Sequence, residues 1–258
     1  MLKPCLILLT LLSLLLFTSR ADTLPAAALA FTDEQQVLPT LSALQQNAVA
    51  EQKLLLLVLG SGWCHDSEAL LKQFNQPAFA AQLQQRFNIA LVDVGYLQYG
   101  QAVTQRYQLP LYYGTPTVMV INPATGQLLN KADLMHWTNA ASHSATDYQQ
   151  YFMQQDFLAT AAQQPDIAPA LMQQINQFER QQADKLALAY QHLGPLLAGF
   201  ESSDTMPDNA FRRSWNEVAA FRSAIIPAVQ QLQQQAATLP ADGQLQLPVY
   251  PPFSFSKQ

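Results

Sequence analysis

The chain has 258 residues, 49% of them apolar and only 12% charged, with a formal net charge of −5. That length suits one domain with an extension, or two small domains, and the apolar content is ample for a core. So little charge excludes disorder of the acidic or basic kind, and an acidic balance without a basic cluster excludes a nucleic-acid binder.

The first 21 residues read as a secretory signal. Lys3 supplies the positive start, Cys5 to Ser19 is almost unbroken apolar sequence, and Ser19-Arg20-Ala21 offers small residues for cleavage after Ala21. The apolar run is short for a membrane span, which needs about 20 residues; an uncleaved anchor is the alternative. Cys5 lies too early for a lipoprotein cleavage site. Cleavage removes Lys3 and Arg20, taking the formal charge from −5 to −7, and leaves Cys64 as the sole cysteine. The mature chain is then expected to be periplasmic or secreted. In such an oxidising compartment a lone cysteine is a free thiol, a mixed disulfide or an intermolecular bridge.

In chain order, Asp22 to Thr32 is a Pro/Ala-rich lead, expected to be loosely held. Leu38, Leu41, Leu44 and Val49 predict a helix from Leu38 to Ala50. Leu54 to Leu59 is an apolar run ending at Gly60, as a strand buried on both faces reads. Trp63-Cys64 follows, then helical spacing at Leu70, Leu71 and Phe74, so Cys64 falls where a strand gives way to a helix. After the break at Asn75-Gln76-Pro77 come a short helix (Ala78 to Gln85), a strand (Asn88 to Val94), a helix (Gly100 to Gln108) and a loop (Leu109 to Tyr113). Thr115 to Asn122 reads as a strand with Pro116 at its start. Asn122 to Gly126 is a hairpin turn, and Gln127 to Asn130 opens the strand after it.

Lys131 to Ser142 looks irregular, and Ser144-Ala145-Thr146-Asp147 starts a closing helix. Pro165 and Pro169 mark a break. Ala170 to Leu193 has helical periodicity and should stop at Gly194-Pro195. Asp208 to Leu239 repeats the signal, and Pro227 is expected to kink that helix. These two helices predict an antiparallel hairpin, packed on the first domain or on a partner. The tail, Gln244 to Gln258, carries Pro248, Pro251 and Pro252 and is expected to be extended and mobile.

Two segments far apart, Trp63-Cys64-His65-Asp66-Ser67 and Gly114-Thr115-Pro116-Thr117, resemble the site segments of the thioredoxin-like superfamily. The resemblance covers roughly residues 38–155. It implies an α/β fold, a central mixed β-sheet flanked by helices, here with an α-helical C-terminal extension. The expected division is a signal peptide (1–21), a thioredoxin-like domain (22–160), a helical extension (161–243) and a tail (244–258). The resemblance also implies a cis Pro116 facing Cys64, with the Thr115 backbone offered to an extended substrate and Trp63 beside the site. Two positions depart from the pattern. Ser67 stands where a second cysteine would, and Val58 where many relatives bury an acid.

The first turn of a helix presents free N–H groups and the positive end of the dipole, which stabilise a thiolate. Cys64 is therefore the candidate nucleophile for thiol–disulfide exchange; a buried structural cysteine is the plainer alternative. Ser67 cannot attack a mixed disulfide and could only donate a hydrogen bond to the thiolate, so release would need an external thiol. His65 and Asp66 bring opposite charges beside the sulfur. His65 is either a proton-handling residue or a solvent-facing one, and Asp66 equally suits the first turn on dipole grounds. His65, His136, His143 and His192 show no metal-ligand spacing, and no glycine-rich phosphate loop is present, so neither metal nor cofactor is expected. Phe211, Trp215, Val218, Ile225, Val229 and Leu232 form a stripe that is core or a homodimer seam.

The expected function is thus an exported monothiol thiol–disulfide exchange protein, isomerase-like, acting on cysteine-containing exported proteins or low-molecular-weight thiols. Cys64, Ser67 and His65 are the catalytic candidates, and Trp63, Thr115 and Pro116 the substrate-binding ones. The alternative is a redox-inactive thioredoxin-fold binding or assembly module. A homodimer, through the helical extension or a Cys64–Cys64 bridge, is a third arrangement.

Overall fold

A computed structural model describes residues 28–163, 165–203 and 208–257; the expected signal segment lies outside them. A short strand β1 (Thr32–Asp33) leads into α1 (Glu34–Val37), a 3-10 turn at Leu38–Thr40 and α2 (Leu41–Ala50). Pro39 sits in the 3-10 turn, where its missing N–H costs no helical bond. Then come β2 (Leu54–Gly60), α3 (His65–Phe74), α4 (Pro77–Arg86), β3 (Phe87–Asp93), α5 (Gln101–Arg106) and β4 (Thr117–Ile121).

The sheet order is β1-β3-β2-β4. β1 and β2 run parallel to β3, and β4 runs antiparallel to β2, with Leu57 opposite Ala90 on one side and Met119 on the other. The fold is thioredoxin-like. β2 is buried from Leu55 to Gly60, and its side chains alternate between two cores, as a strand requires. Leu55, Leu57 and Leu59 join one cluster; Leu56 and Val58 join the other.

The second core is closed by Leu70 and Phe74 of α3, Phe79 and Leu83 of α4, and an aromatic packing around Trp137 and Phe152. The strand expected over Gln127 to Asn130 is reduced to a single bridge, Ile121 to Leu128. Asn130 is the reason. Its Oδ1 accepts from the Val120 N–H and its Nδ2 donates to Val118 O, so a side chain fills the place of a strand neighbour. The chain then turns through 3-10 segments at Lys131–Asp133 and His136–Ser142. A reciprocal Ser144–Asp147 capping box starts α6 (Ala145–Gln149), which runs on as a π turn to Gln154, and Asp156 caps α7 (Phe157–Ala162).

Two long helices follow, α8 (Pro169–Glu201) and α9 (Asn209–Ala236). The expected stop at Gly194-Pro195 is overturned, because α8 continues for two more turns. Pro195 lacks an N–H, so the Gln191 carbonyl loses its helical donor, but Gln191 is exposed and water can serve it. Continuing the helix buries Leu197 beside Leu193. Gly194 is needed for another reason: a Cβ there would lie 2.5 Å from the Tyr96 carbonyl oxygen, so only glycine lets α8 lie on that loop. α9 likewise runs unbroken through Pro227.

Both helices pack into the first core with β2, through Ile175, Phe178 and Leu186 of α8 and Val218, Ile225 and Val229 of α9. One charge is buried there. Glu179 is 2% exposed; its Oε1 accepts from Tyr113 OH at 3.1 Å, and its Oε2 pairs with Lys131 Nζ at 2.6 Å. Burial, and then the Glu179 carboxylate, push the Tyr113 phenol well above its ordinary pKa.

The tail is held rather than mobile. Leu245 and Phe253 are buried in the first core. Lys185 Nζ donates to the carbonyls of Tyr250 and Pro251, and Ser254 donates from both N and Oγ to Glu217. The end of the lead is held too: Leu29 and the Asn75 side chain exchange two hydrogen bonds, and Thr32–Asp33 pairs with β3. Among the described residues no helix is long and apolar enough to cross a membrane.

Candidate functional site

β2 ends at Gly60, and a turn closed by Cys64 N–H to Ser61 O brings the chain to α3. Cys64 is the N-cap, in extended conformation, and its carbonyl accepts the first helical bond from Glu68 N–H. Its sulfur therefore lies at the end of α3 that carries unpaired N–H groups. Asp66 and Glu68 occupy the first turn, where the dipole favours acids.

The Thr115–Pro116 peptide bond is cis, and Thr117 Oγ1 donates to Gly114 O across it. This loop meets Cys64. The thiol donates to Thr115 O at 3.3 Å, and Thr115 Oγ1 donates to Sγ at 3.2 Å. Residues 51 apart in sequence thus share two contacts. The sequence suggests only a backbone role for Thr115; its hydroxyl is the unexpected partner of the sulfur.

Trp63 is anchored by its indole N–H to Gly95 O at 2.7 Å. His65 begins α3 and is exposed. Asp66 turns away from the thiol and accepts from Ala141 N–H at 2.9 Å, tying α3 to the 3-10 segment. Ser67 needs a correction. The hydrogen bond expected from Ser67 to Cys64 is not made: Ser67 is fully buried, and its Oγ has no hydrogen-bond partner among the described residues. It lies beneath the end of β2, where a Cβ on Gly60 would come within 2.7 Å of its oxygen. The helix roll that exposes Cys64 sends the residue three positions on into the core. Val58 is buried and apolar in the second core.

The extension supplies a wall that the sequence alone does not assign to the site. Trp215 of α9 meets Trp63 edge-on, with centroids 6.2 Å apart. Together with Cys64, Leu197, Phe200 and Phe211 these indoles line a groove of about 380 Å³, with Arg212 and Glu201 also on its lining. The available signal was three large aromatics, Phe200, Phe211 and Trp215, gathered around the break between the two helices.

The other histidines sit elsewhere. The His136 and His143 rings lie 4.6 Å apart and tilted by 34°, and His136 lies flat on Tyr151. Desolvation, and then His143, lower the His136 pKa below its ordinary value. His192 stacks on Phe255. Among the described residues no group of three His, Cys, Asp or Glu side chains is placed to hold a metal ion.

No protein-family model matches the chain, and no curated protein matches it. Among solved structures, a disulphide isomerase from Xylella fastidiosa Temecula1 is similar over 49% of this chain and 96% of its own, at 24% identity and a TM-score of 0.44.

Proposed function

We propose that the protein is an exported monothiol thiol–disulfide exchange protein acting on cysteines of other exported proteins or on small thiols. The observation that carries this reading is Cys64 itself, at the N-cap of α3 on an open groove, its sulfur held by the Thr115 hydroxyl and carbonyl.

The chemistry needs only those groups. The Cys64 thiolate attacks one sulfur of a substrate disulfide along the S–S axis. A new S–S bond forms to Cys64, the old one breaks, and the departing sulfur leaves as a thiolate that takes its proton from solvent. Loss of the Cys64 proton turns the hydrogen bond from Thr115 Oγ1 to Sγ into a charge-assisted one and frees Thr115 O for a substrate N–H. Ser67 cannot attack the mixed disulfide, so a second thiolate does so: one from the substrate, which gives isomerisation, or a small external thiol.

The test is to mix the reduced protein with a peptide disulfide and follow the intact mass. The expected result is a one-to-one adduct on Cys64 that a small thiol removes, absent in Cys64→Ser. If Cys64 stays unmodified in the folded protein while Cys64→Ser retains partner binding, the chain is a binding module instead. Thr115→Val, which keeps the shape and removes the hydroxyl, is expected to slow adduct formation about tenfold to a hundredfold, the scale of one hydrogen bond to a charged group.

A further inference from the structure

We propose that the groove between Cys64 and the α8–α9 wall is a side-chain subsite, selecting polypeptide disulfides in which a large apolar residue, aromatic above all, stands next to the reacting cysteine. This rests on the exchange reading above and adds a substrate preference to it.

Three observations fix the occupant. First, the groove has a fixed point of attachment. Cys64 lies on its lining, so whatever fills it during exchange is covalently joined to the residue bonded to that sulfur. Second, the wall is a continuous row of rings. Trp63 meets Trp215 at 6.2 Å, Trp215 meets Phe211 at 5.7 Å, and Phe211 meets Phe200 at 6.1 Å. All four remain partly exposed, while Leu197 beside them is buried. The ring surface left exposed on this row gains by being covered. Third, the volume of about 380 Å³ suits one or two side chains rather than a domain.

Charge does not compete with this preference. Arg212 and Glu201 bring opposite signs to the same groove, so neither a strongly acidic nor a strongly basic thiol is favoured. A large apolar residue beside the cysteine covers the rings, and an aromatic one adds edge-to-face contacts with Trp215 and Phe211. The selectivity would come from the helical extension, because Leu197, Phe200, Phe211 and Trp215 all belong to α8 and α9.

The experiment compares three symmetrical peptide disulfides, those of N-acetyl-Phe-Cys-amide, N-acetyl-Ser-Cys-amide and N-acetyl-Asp-Cys-amide. The rate of adduct formation on Cys64 is read by intact mass. The Phe peptide is expected to react about tenfold faster than the other two, and the ratio is expected to fall towards one in both Phe211→Ala and Trp215→Ala. Circular dichroism identifies a variant that fails to fold, and the wild-type ratio decides the matter without any variant. Equal rates for all three peptides overturn the subsite while leaving the exchange reading intact. A faster Asp peptide overturns it in favour of charge selection by Arg212. Failure of Cys64 to react with any of the three overturns the exchange reading, and the subsite with it.

Discussion

The two faces of β2 are closed by different means. Leu56 and Val58 look onto a core of aromatic and aliphatic side chains drawn from Leu70 to Phe157, with Trp137 fully buried among them. Leu55, Leu57 and Leu59 look onto α8 and α9, where the large apolar side chains are joined by a buried carboxylate. The difference shows how Cys64 is held. α3 is rooted in the first of these faces through Leu70 and Phe74, while the groove wall opposite Cys64 grows from the second. The site sits on the seam between two cores, one built on packed aromatic rings and one with a buried carboxylate tied to Tyr113 and Lys131.

The strongest way to break that comparison is to cut one large side chain from each face. Trp137→Ala and Phe178→Ala should each cost about 3–5 kcal/mol in urea unfolding. A cost below about 1 kcal/mol for Phe178→Ala alone would make the extension an appendage. Next comes the polar tie. Glu179→Ala strands the Tyr113 hydroxyl and the Lys131 ammonium, and should cost about 2–3 kcal/mol. Glu179→Gln keeps an acceptor for Tyr113 and should cost less. Because Tyr113 lies two residues before Thr115, both variants should also alter the alkylation rate of Cys64. A smaller effect is expected at the tail, where Glu217→Ala removes both bonds from Ser254 and should cost about 1 kcal/mol. Limited proteolysis should then cut the last residues faster.

The smallest effect is a pH dependence carried by the aromatic face. The fold prefers the neutral His136 ring, so unfolding takes up a proton once the pH falls below the ordinary value of 6.5. Stability should therefore be full above pH 6.5, decline as the pH falls towards the lowered folded value, and level off beneath it. His136→Phe, which keeps a ring on Tyr151, should flatten that slope in urea titrations at several pH values.

Much of this was legible because it is local. The apolar run of β2, the Trp63-Cys64 junction and the Thr115-Pro116 step are each written in a few adjacent residues. What was not legible depends on how elements roll and meet. The motif places Ser67 near Cys64 but does not say that α3 turns its hydroxyl into the core. The helix-stop rule fails at Pro195 because Leu193 and Leu197 on either side both find burial, which outweighs one lost backbone bond. Prolines in the tail suggested looseness, yet Leu245 before them and Phe253 after them had sockets waiting in the core shared with α8 and α9. Glu179 follows Phe178 on the apolar stripe of Ile175 and Leu186, but its partners are 48 and 66 residues away.

One carbon atom is missing where α8 crosses the loop after β3, and the omission reaches the thiol. The peptide unit between Gly95 and Tyr96 is gripped from two directions. Its carbonyl receives the Trp63 indole, and the next carbonyl along, that of Tyr96, rests against Gly194. A methyl group added by Gly194→Ala has backbone in its way and must push the loop towards the indole. Trp63 would tilt, and the groove would change shape next to a cysteine 130 residues upstream. Position 194 is in effect a set screw for the edge of the molecule that carries Cys64.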